Sequence, residues 1–406
     1  MDIEYWLFII RVYTGFAQEA ILKNFKSGCR FLVVVCLLLL PLSPLPGGPY
    51  VSATTDQGYL SVTGPCDFSF PKDHGSHPGY RTEWWYYTGN LEAKDQRPYG
   101  FQLTFFRRQI RPLPKAAAEQ PDQSAWRTPH IYLAHAAVSD IAGGRHLHAE
   151  DMARNALNMA GVSRNEGKTT IYLKNWSAVI EGKRHRLQAH TDRFGFDLSL
   201  SAKKPPVFHG RGGYSRKGSD PERASCYYSF TRLSARGTLT VGGQSASVLG
   251  NAWMDHEFST APLEPDIIGW DWFSLQLSDE TEMMIFLLRK PDGTAHAASS
   301  GTFVDRAGQT RHLSMEDFNI TVRDTWRSSQ SKAVYPAKWD ITVLPLNMTL
   351  QLASRLADQE MITRASTGVT YWEGSVSVQG TRGRKPLKGT GYVELTGYAR
   401  SFEADL

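Results

Sequence analysis

Short alternations of apolar and polar residues fill most of the chain, and Gly, Asn and Asp separate them. Successive side chains of a strand point to opposite faces, so a period of two predicts β-strands with one buried face. Many short strands at regular spacing predict an all-β sandwich or barrel. Residues 150–159 form one of the few segments for which we expect a helix. The predicted strands include residues 86–91, 100–107, 169–173, 178–180, 196–200, 237–241, 273–277 and 283–289.

The strand pattern occurs twice along the chain. Residues 85–107 and residues 272–289 each predict a hairpin that begins with aromatic residues and has a second strand ending in arginine. An alignment of the two hairpins places Trp85 on Trp272. Self-similarity of this kind indicates repeated structural units.

A second pair of segments supports the repeat. Residues 250–255 match residues 389–394, and both segments have the pattern Gly-x-x-aromatic-x-acid. We therefore predict two related β units that meet within residues 258–269. The corresponding domains are residues 54–262 and residues 263–406.

The first 53 residues are predicted to be a signal or leader segment. Three basic residues precede the apolar run 31–40, and a Pro/Gly-rich stretch and small residues follow it. An apolar run of this length is short for a membrane span and typical of a signal peptide. We expect a protein exported to the periplasm or secreted by a bacterium, and an uncleaved anchor remains the alternative.

The composition of the chain narrows the range of possible functions. The chain has 406 residues, 41% hydrophobic and 21% charged, which is typical of a globular protein. Its net charge of +5 is spread along the chain, so we expect no nucleic-acid partner. Cys66 and Cys226 follow the leader, and the sequence leaves open whether they form a disulfide or remain two buried thiols.

The segment Trp253 to Glu257 is the first candidate for chemistry. On a strand, Asp255 and Glu257 share one face and His256 takes the other. If Asp255 faces an apolar space beside Trp253, burial raises its pKa and makes it a usable general acid. The alternative is a strand end that ties the two units together by salt bridges.

Two further blocks place aromatic rings beside an acid. Trp270 and Trp272 flank Asp271, which we expect to point into a barrel or to bond to His256. Rings of this kind suit a pocket for a large apolar ligand. The third block has an acid that could lie at a pocket mouth, and it consists of Glu83, Trp84 and Trp85.

Several classes of site are not supported by the sequence. The histidines and cysteines lack the spacings typical of a metal site, so we predict neither a metal nor a cofactor. The chain also lacks the Gly-x-Ser-x-Gly elbow of serine hydrolases.

Six short blocks follow one another along the chain: residues 82–91, 204–206, 253–258, 269–273, 371–374 and 391–398. In this order they resemble the AttH / carotenoid 1,2-hydratase family, whose members are often described as secreted hydrolases or lipocalin-like proteins. The resemblance covers roughly residues 60–400. It implies two tandem lipocalin-like antiparallel β-barrels that arose by internal duplication.

The carotenoid branch of this family adds water across a terminal double bond. By resemblance, Asp255 or Asp271 donates the proton, and His256 orients the acid or guides water. Aromatic faces stabilise the resulting cation. The aromatic residues to which the resemblance gives this role are Trp253, Trp270 and Trp272.

This chain departs from the carotenoid branch at two positions. Phe258 and Gly269 stand where that branch has Trp and Tyr, which weakens carotenoid as the expected substrate. We expect an exported protein that binds an apolar lipid or isoprenoid and that hydrates a C=C bond or hydrolyses its ligand. The alternatives are a non-catalytic lipid carrier or accessory factor of an envelope transporter, and a carbohydrate-active protein.

Overall fold

The computed structural model describes residues 52–55, 57–112 and 128–402. These residues contain 25 β-strands, all paired antiparallel, and they contain no α-helix. Three short 3-10 helices, Lys72–His74, Met315–Asp317 and Leu344–Leu346, lie between strands. The prediction of an all-β protein is confirmed.

The strands follow one another along the chain in this order: β1 Ser52–Thr54, β2 Leu60–Val62, β3 Thr82–Ala93, β4 Pro98–Gln109, β5 His130–Asp140, β6 Arg145–Arg154, β7 Ala160–Asn165, β8 Lys168–Leu173, β9 Trp176–Glu181, β10 Arg184–His190, β11 Phe194–Ala202, β12 Val207–Phe208, β13 Tyr214–Arg216, β14 Ala224–Val241, β15 Gln244–Ser259, β16 Gly269–Leu277, β17 Glu282–Arg289, β18 Ser300–Val304, β19 Thr310–Ser314, β20 Phe318–Arg327, β21 Val334–Val343, β22 Met348–Ser354, β23 Glu360–Ile362, β24 Thr370–Arg382 and β25 Lys385–Leu395.

The strands form two large sheets in which four consecutive strands and then the last two long strands are paired in the same order. The first sheet has 13 strands in the order β6-β5-β4-β3-β15-β14-β11-β10-β9-β8-β7, with β12 and β13 added to β14. The second has 10 strands in the order β19-β18-β17-β16-β25-β24-β22-β21-β20, with β23 added to β24. In both sheets the earliest long strand pairs with the last one. This shared order agrees with an internal duplication.

Each sheet curls around its own apolar core, as expected of a lipocalin-like barrel. In the first sheet, β8 contacts β4, β5 and β6 across the interior. Trp85, Phe101 and Phe105 are buried in this core. Phe273 and Trp339 are buried in the separate core of the second sheet. The prediction of two lipocalin-like barrels is confirmed, whereas the exact domain boundaries stay a prediction.

The two sheets pack against each other through β3, β4 and β14 of the first sheet and β16, β24 and β25 of the second. Strands at this contact are buried on both faces: one face packs inside its own barrel and the other against the neighbouring sheet. A third apolar cluster fills the contact. We call it the interface cluster, and its buried members are Tyr86, Tyr227, Trp253, Ile267, Trp272, Met284, Phe286, Leu288 and Tyr392.

The register of the closing strands corrects the alignment of the two hairpins. Asp255 on β15 lies opposite Tyr86, and Glu394 on β25 lies opposite Trp272. Tyr86 therefore corresponds to Trp272, and the alignment of Trp85 with Trp272 is wrong by one residue. A shift of one residue moves a side chain to the other face of the sheet, and Trp85 indeed points into the first barrel.

Residues 203–225, which contain Lys204-Pro205-Pro206 and are typical of a rim loop, cover one side of the contact between the sheets. Lys204 Nζ lies 2.7 Å from Glu282 Oε2 on β17. His209 Nδ1 lies 2.9 Å from Thr302 Oγ1 on β18. The segment belongs to the first sheet through β12 and β13, so it joins the two sheets by polar contacts.

The structure settles two smaller points. Residues 150–159 are not helical, because Glu150 lies within β6, which pairs with β5 along its length. Cys66 and Cys226 form a disulfide.

The predicted leader, residues 1–53, lies outside the described residues except for the start of β1. The described part of the chain has no helix of the length and apolarity needed to cross a bilayer.

Candidate active site between the two sheets

Strand β15 carries the candidate residues and divides them between two environments. As expected for a strand, Asp255 and Glu257 face one side and His256 the other. Asp255 bonds to residues that face the second sheet. His256 bonds to Glu83 inside the first barrel. The two side chains therefore take part in two different polar networks.

Asp255 is buried and receives hydrogen bonds from three neutral groups. Tyr227 Oη donates to Oδ2 at 2.6 Å. Trp253 Nε1 donates to Oδ1 at 2.6 Å, and Ser229 Oγ donates to the same oxygen. The side chains of Trp253 and Asp255 share a face because they lie two residues apart on β15. The three donors fix the carboxyl group without neutralising it.

Burial raises the pKa of Asp255 to about 7, although the bonds from Ser229, Tyr227 and Trp253 act in the opposite direction. Desolvation disfavours a carboxylate unless a cation or enough donors replace the lost water. At neutral pH a large fraction of Asp255 therefore carries a proton. A carboxyl group with this pKa can give and accept a proton in one reaction cycle.

A polar chain connects Asp255 with the second sheet. Ser229 Oγ donates to Asp255, so it accepts a hydrogen bond from His209 Nε2, which lies 2.6 Å away. Thr302 Oγ1 can then donate to the bare Nδ1 of His209. Burial lowers the pKa of His209 well below its usual range. The ring is therefore neutral and places its single proton towards Ser229.

The second sheet contributes two more acids, Glu373 on β24, which is buried, and Glu394 on β25, which is partly buried. Burial, together with the charges of Asp255 and Glu257, raises the pKa of Glu394 to about 8, although a hydrogen bond with Trp270 acts in the opposite direction. Burial and the charge of Glu394 raise the pKa of Glu373 well above its usual range. We call Asp255, Glu373 and Glu394 the interface acids. Because their charges repel, they share protons at neutral pH.

Aromatic rings separate and line the interface acids. Tyr86 Oη donates to Glu373 Oε1 at 2.5 Å, and its ring packs edge-on against Trp272 with centroids 5.1 Å apart. Trp272 Nε1 donates to Tyr227 Oη at 3.1 Å. Trp253 packs edge-on against Trp272 at 6.2 Å. The acids thus lie among flat π faces that can stabilise a nearby positive charge.

Glu257 lies next to this cluster but has a cationic partner. Lys217 Nζ is 3.0 Å from Glu257 Oε1, and Ser225 Oγ also donates to this carboxylate. Lys217 Nζ is 4.2 Å from the ring centroid of Phe286 and 5.1 Å from that of Tyr227. Glu257, one of the predicted catalytic residues, therefore forms an ion pair with Lys217 at the edge of the interface cluster.

His256 lies in the other network, inside the first barrel. Its Nε2 is 2.9 Å from Glu83 Oε1, and its Nδ1 is 3.1 Å from Tyr228 Oη. Glu83 also receives Arg107 Nε at 2.7 Å and His77 Nδ1 at 2.7 Å. We call these residues, with Asp73 behind His77, the Glu83 network. His256 does not contact Asp255, so the structure gives it no role in orienting that acid.

The charges of the Glu83 network determine its protonation. Burial acts to raise the pKa of Glu83, but Arg107, His77 and His256 outweigh it and hold the pKa well below its usual range. Burial likewise disfavours a charged His77, but Glu83 and Asp73 outweigh it and raise the pKa. Glu83 is an ionised, fully buried group and does not lie at a pocket mouth as expected. His77, Glu83 and His256 are also placed so that they could hold a metal ion.

Asp271 points into the second barrel, where Arg289 Nε lies 2.7 Å from Oδ1 and Tyr398 Oη lies 3.0 Å from Oδ2. It bonds to Arg289 and not to His256, so one of the two predicted arrangements is wrong. Trp85 is stacked on His256 inside the first barrel. Trp84 and Trp270 pack at the edge of the interface cluster. The structure therefore brings Trp253 and Trp272 close to Asp255 but not Trp85.

Sequence reasoning missed several members of both networks. The sequence alone does not distinguish Glu373 and Glu394 from acids that serve only the architecture of the second unit. The match of residues 389–394 with residues 250–255 places Glu394 on Asp255 and was the signal that could have identified Glu394. Nothing in the local sequence marked His77, Tyr227 or Ser229.

Comparisons with known proteins agree with this architecture. The family model described as AttH-like matches residues 61–398. The crystal structure of an AttH protein of Nitrosomonas europaea is similar, with 34% identity and a TM-score of 0.70, and the match covers 82% of this chain and 97% of that one. The structure of kievitone hydratase from Nectria haematococca shares the fold, with 16% identity, a TM-score of 0.63 and coverage of 85% and 97%.

A sequence match points to the same group of proteins. Kievitone hydratase of Fusarium solani subsp. phaseoli is 23% identical over 214 residues, or 52% of this chain. The match spans 59% of that relative, which is less than two thirds of its length. The AttH-like match covers most of the chain and includes both sheets, so this protein belongs to the AttH-like family.

Proposed function

We propose that this protein is an exported hydratase that adds water to a C=C bond of an apolar lipid or isoprenoid, with Asp255 as the acid. One observation carries the proposal. Asp255 is a buried carboxyl group among aromatic rings, its three partners are neutral donors, and its pKa is raised to about 7. The likeness to kievitone hydratase supports the reaction class.

The proposed reaction needs one proton and one water molecule. Asp255 protonates one carbon of the double bond, which forms a C–H bond and leaves a carbocation on the other carbon. The faces of Trp253 and Trp272 stabilise this cation. Water adds to the cation, and its extra proton passes to an ionised interface acid or back to Asp255. The acids are then restored to their initial charge.

Substrate entry in this proposal requires movement at the contact between the sheets. A cavity of about 10 Å³ lies at this contact. Its lining includes Thr88, Trp253, Gln276 and Tyr392. That volume holds roughly one water molecule. We expect residues 203–225 to move, because Lys217 and His209 of this segment contact the cluster from one side.

An isotope experiment tests the hydratase proposal. Purified full-length protein is incubated in H₂¹⁸O with a lipid extract of its own host, and products are analysed by mass spectrometry. We expect products that have gained one labelled water, and we expect Asp255→Asn to form at least ~100-fold less, the scale of general acid catalysis. Glu360→Gln is the matched control, because Glu360 is an equally buried acid that accepts bonds from Ser328 and Tyr335.

The same samples separate the alternative function. Native mass spectrometry reports any apolar ligand that stays bound. A ligand that is retained unchanged by both the wild type and Asp255→Asn supports a lipid carrier, or an accessory factor of an envelope transporter. The structural observation in favour of a carrier is that Asp255 already has three donors and is closed off from water. If the ligand is retained unmodified and no labelled product forms, the hydratase proposal is refuted.

A further inference from the structure

We propose that His77 Nδ1, Glu83 Oε1 and His256 Nε2 form a binding site for one divalent first-row transition-metal ion inside the first barrel. This site is separate from the interface acids, which occupy the opposite face of β15. It does not depend on the proposed hydratase reaction.

The three atoms converge although the residues lie far apart in the sequence. His77 follows the first 3-10 helix, Glu83 lies near the start of β3, and His256 lies on β15. Glu83 Oε1 is 2.7 Å from His77 Nδ1 and 2.9 Å from His256 Nε2. All three atoms lie within 4.8 Å of one another. Two imidazole nitrogens and one carboxylate oxygen form a donor set that suits zinc and its neighbours in the first transition row.

Each of the three side chains is held from behind by a second polar group. Asp73 Oδ1 lies 3.3 Å from His77 Nε2, which gives a carboxylate–histidine pair aimed at the site. Tyr228 Oη lies 3.1 Å from the remaining nitrogen of His256. Metal-binding histidines in proteins are usually fixed in this way, because the second contact sets the tautomer and the ring orientation.

Stacking also restrains both rings. His77 lies parallel to Phe258 with centroids 3.7 Å apart. His256 lies on Trp85 at 4.7 Å. A preorganised donor set loses little conformational entropy on binding an ion. The rings are therefore held as ligands before any ion arrives.

The charges around the site are compatible with a cation. Asp73 and Glu83 supply two negative charges, and Arg107, which contacts the outer oxygen Glu83 Oε2 at 2.7 Å, supplies one positive charge. A divalent ion takes the place of the protons now shared between Glu83 and the two rings. The side chain of His77 is 12% exposed, which provides an entry path from solvent. Three protein ligands leave a fourth position for water.

Metal binding by the full-length protein tests the proposal directly. Protein treated with a chelator and dialysed is titrated with Zn²⁺ or Co²⁺, followed by metal analysis and, for Co²⁺, visible absorption. We expect one tightly bound ion per chain and an upward shift of the thermal midpoint. His77→Asn keeps a nitrogen donor near the position of Nδ1 for Glu83 but cannot act as an imidazole ligand. We expect this variant to bind the ion at least tenfold more weakly.

His296→Asn is the matched control, since the described residues contain one other group with possible ligand geometry, Glu264, Asp266 and His296. If affinity falls with His296→Asn and not with His77→Asn, or if neither ion binds, the assignment is overturned. Circular dichroism in chelator shows whether His77→Asn is folded. If it is not, X-ray absorption of the zinc-loaded wild type decides: two imidazole ligands support the site, and oxygen ligands alone refute it. Activity is not a readout here, so failure of the hydratase proposal leaves this test intact.

Discussion

Glu83 and Asp255 are both buried carboxyl groups on adjacent strands of the first sheet, yet their pKa values shift in opposite directions. Glu83 meets a guanidinium and two imidazoles, and its pKa is held well below the usual range. Asp255 meets a hydroxyl, a phenol and an indole, and its pKa rises to about 7. Burial acts in the same direction on both groups. The comparison shows that the chemical type of the partners, and not depth, decides which acid can donate a proton near neutral pH.

The second sheet repeats the acid–arginine pair with a different balance. Arg107 lies two residues before the end of β4 and Arg289 ends β17, and each contacts a buried acid. Burial raises the pKa of Asp271 despite Arg289 and Tyr398. Glu83 has two histidines in addition to its arginine. The same motif therefore gives an ionised acid in one barrel and a weaker acid in the other.

Removal of the arginine beside Glu83 is the strongest way to break this comparison. Arg107→Met leaves a buried carboxylate without its main cation, which costs about 3–5 kcal/mol in the free energy of unfolding. Guanidinium unfolding of the full-length protein at pH 7 measures the loss. Arg306→Met is the control, because Arg306 and Glu280 form an exposed pair, and we expect little change. Equal losses in the two variants would contradict the account of Glu83.

Stability as a function of pH sharpens the comparison next. Between about pH 4 and the folded pKa values of about 7 for Asp255 and about 8 for Glu394, the folded protein holds protons that the unfolded chain has released. Stability contributed by these groups therefore falls as pH rises, by up to about 1.4 kcal/mol per pH unit for each carboxyl group. Glu83 acts in the opposite sense, because its stabilising charge is lost as pH falls below the unfolded value.

Thermal and denaturant unfolding from pH 4 to 9 measure this slope. The double variant Asp255→Asn, Glu394→Gln should have a flatter profile than the wild type over this window. An unchanged slope in the double variant would show that the interface acids are ionised at neutral pH.

The smallest expected effect comes from the arginine of the second barrel. Arg289→Met should cost about 1–3 kcal/mol, because Asp271 keeps its bond from Tyr398 and can take up a proton in place of the lost cation. The loss should shrink at lower pH, because the raised pKa of Asp271 favours its neutral form there. The same denaturant measurement at pH 5 and pH 8 checks this. A loss as large as that of Arg107→Met would mean that the two pairs are equivalent.

The sequence predicted the strands, the repeat and the family because these depend on local patterns. The division of Asp255 and His256 between two faces followed from strand geometry alone. The hydrogen-bond partners of these side chains could not be inferred from strand geometry. Glu83 and His256 are 173 residues apart, and Tyr86 and Glu373 are 287 apart, so only strand register brings them together. An error of one residue in the alignment of the two hairpins matched Trp85, in place of Tyr86, with Trp272.

The pairing of β3 with β15, and of β16 with β25, has a consequence for biosynthesis. Each barrel closes with the last long strand of its own segment, so β3 lacks one of its two neighbours until residue 259 has been made. Cys66 likewise cannot form its disulfide until Cys226 has been synthesised. Contacts between residues that lie far apart in the sequence form slowly, and until they form the unpaired strand edges are prone to aggregation. Truncation just before β15 or β25 should therefore yield insoluble protein, although most strands of the affected sheet are present.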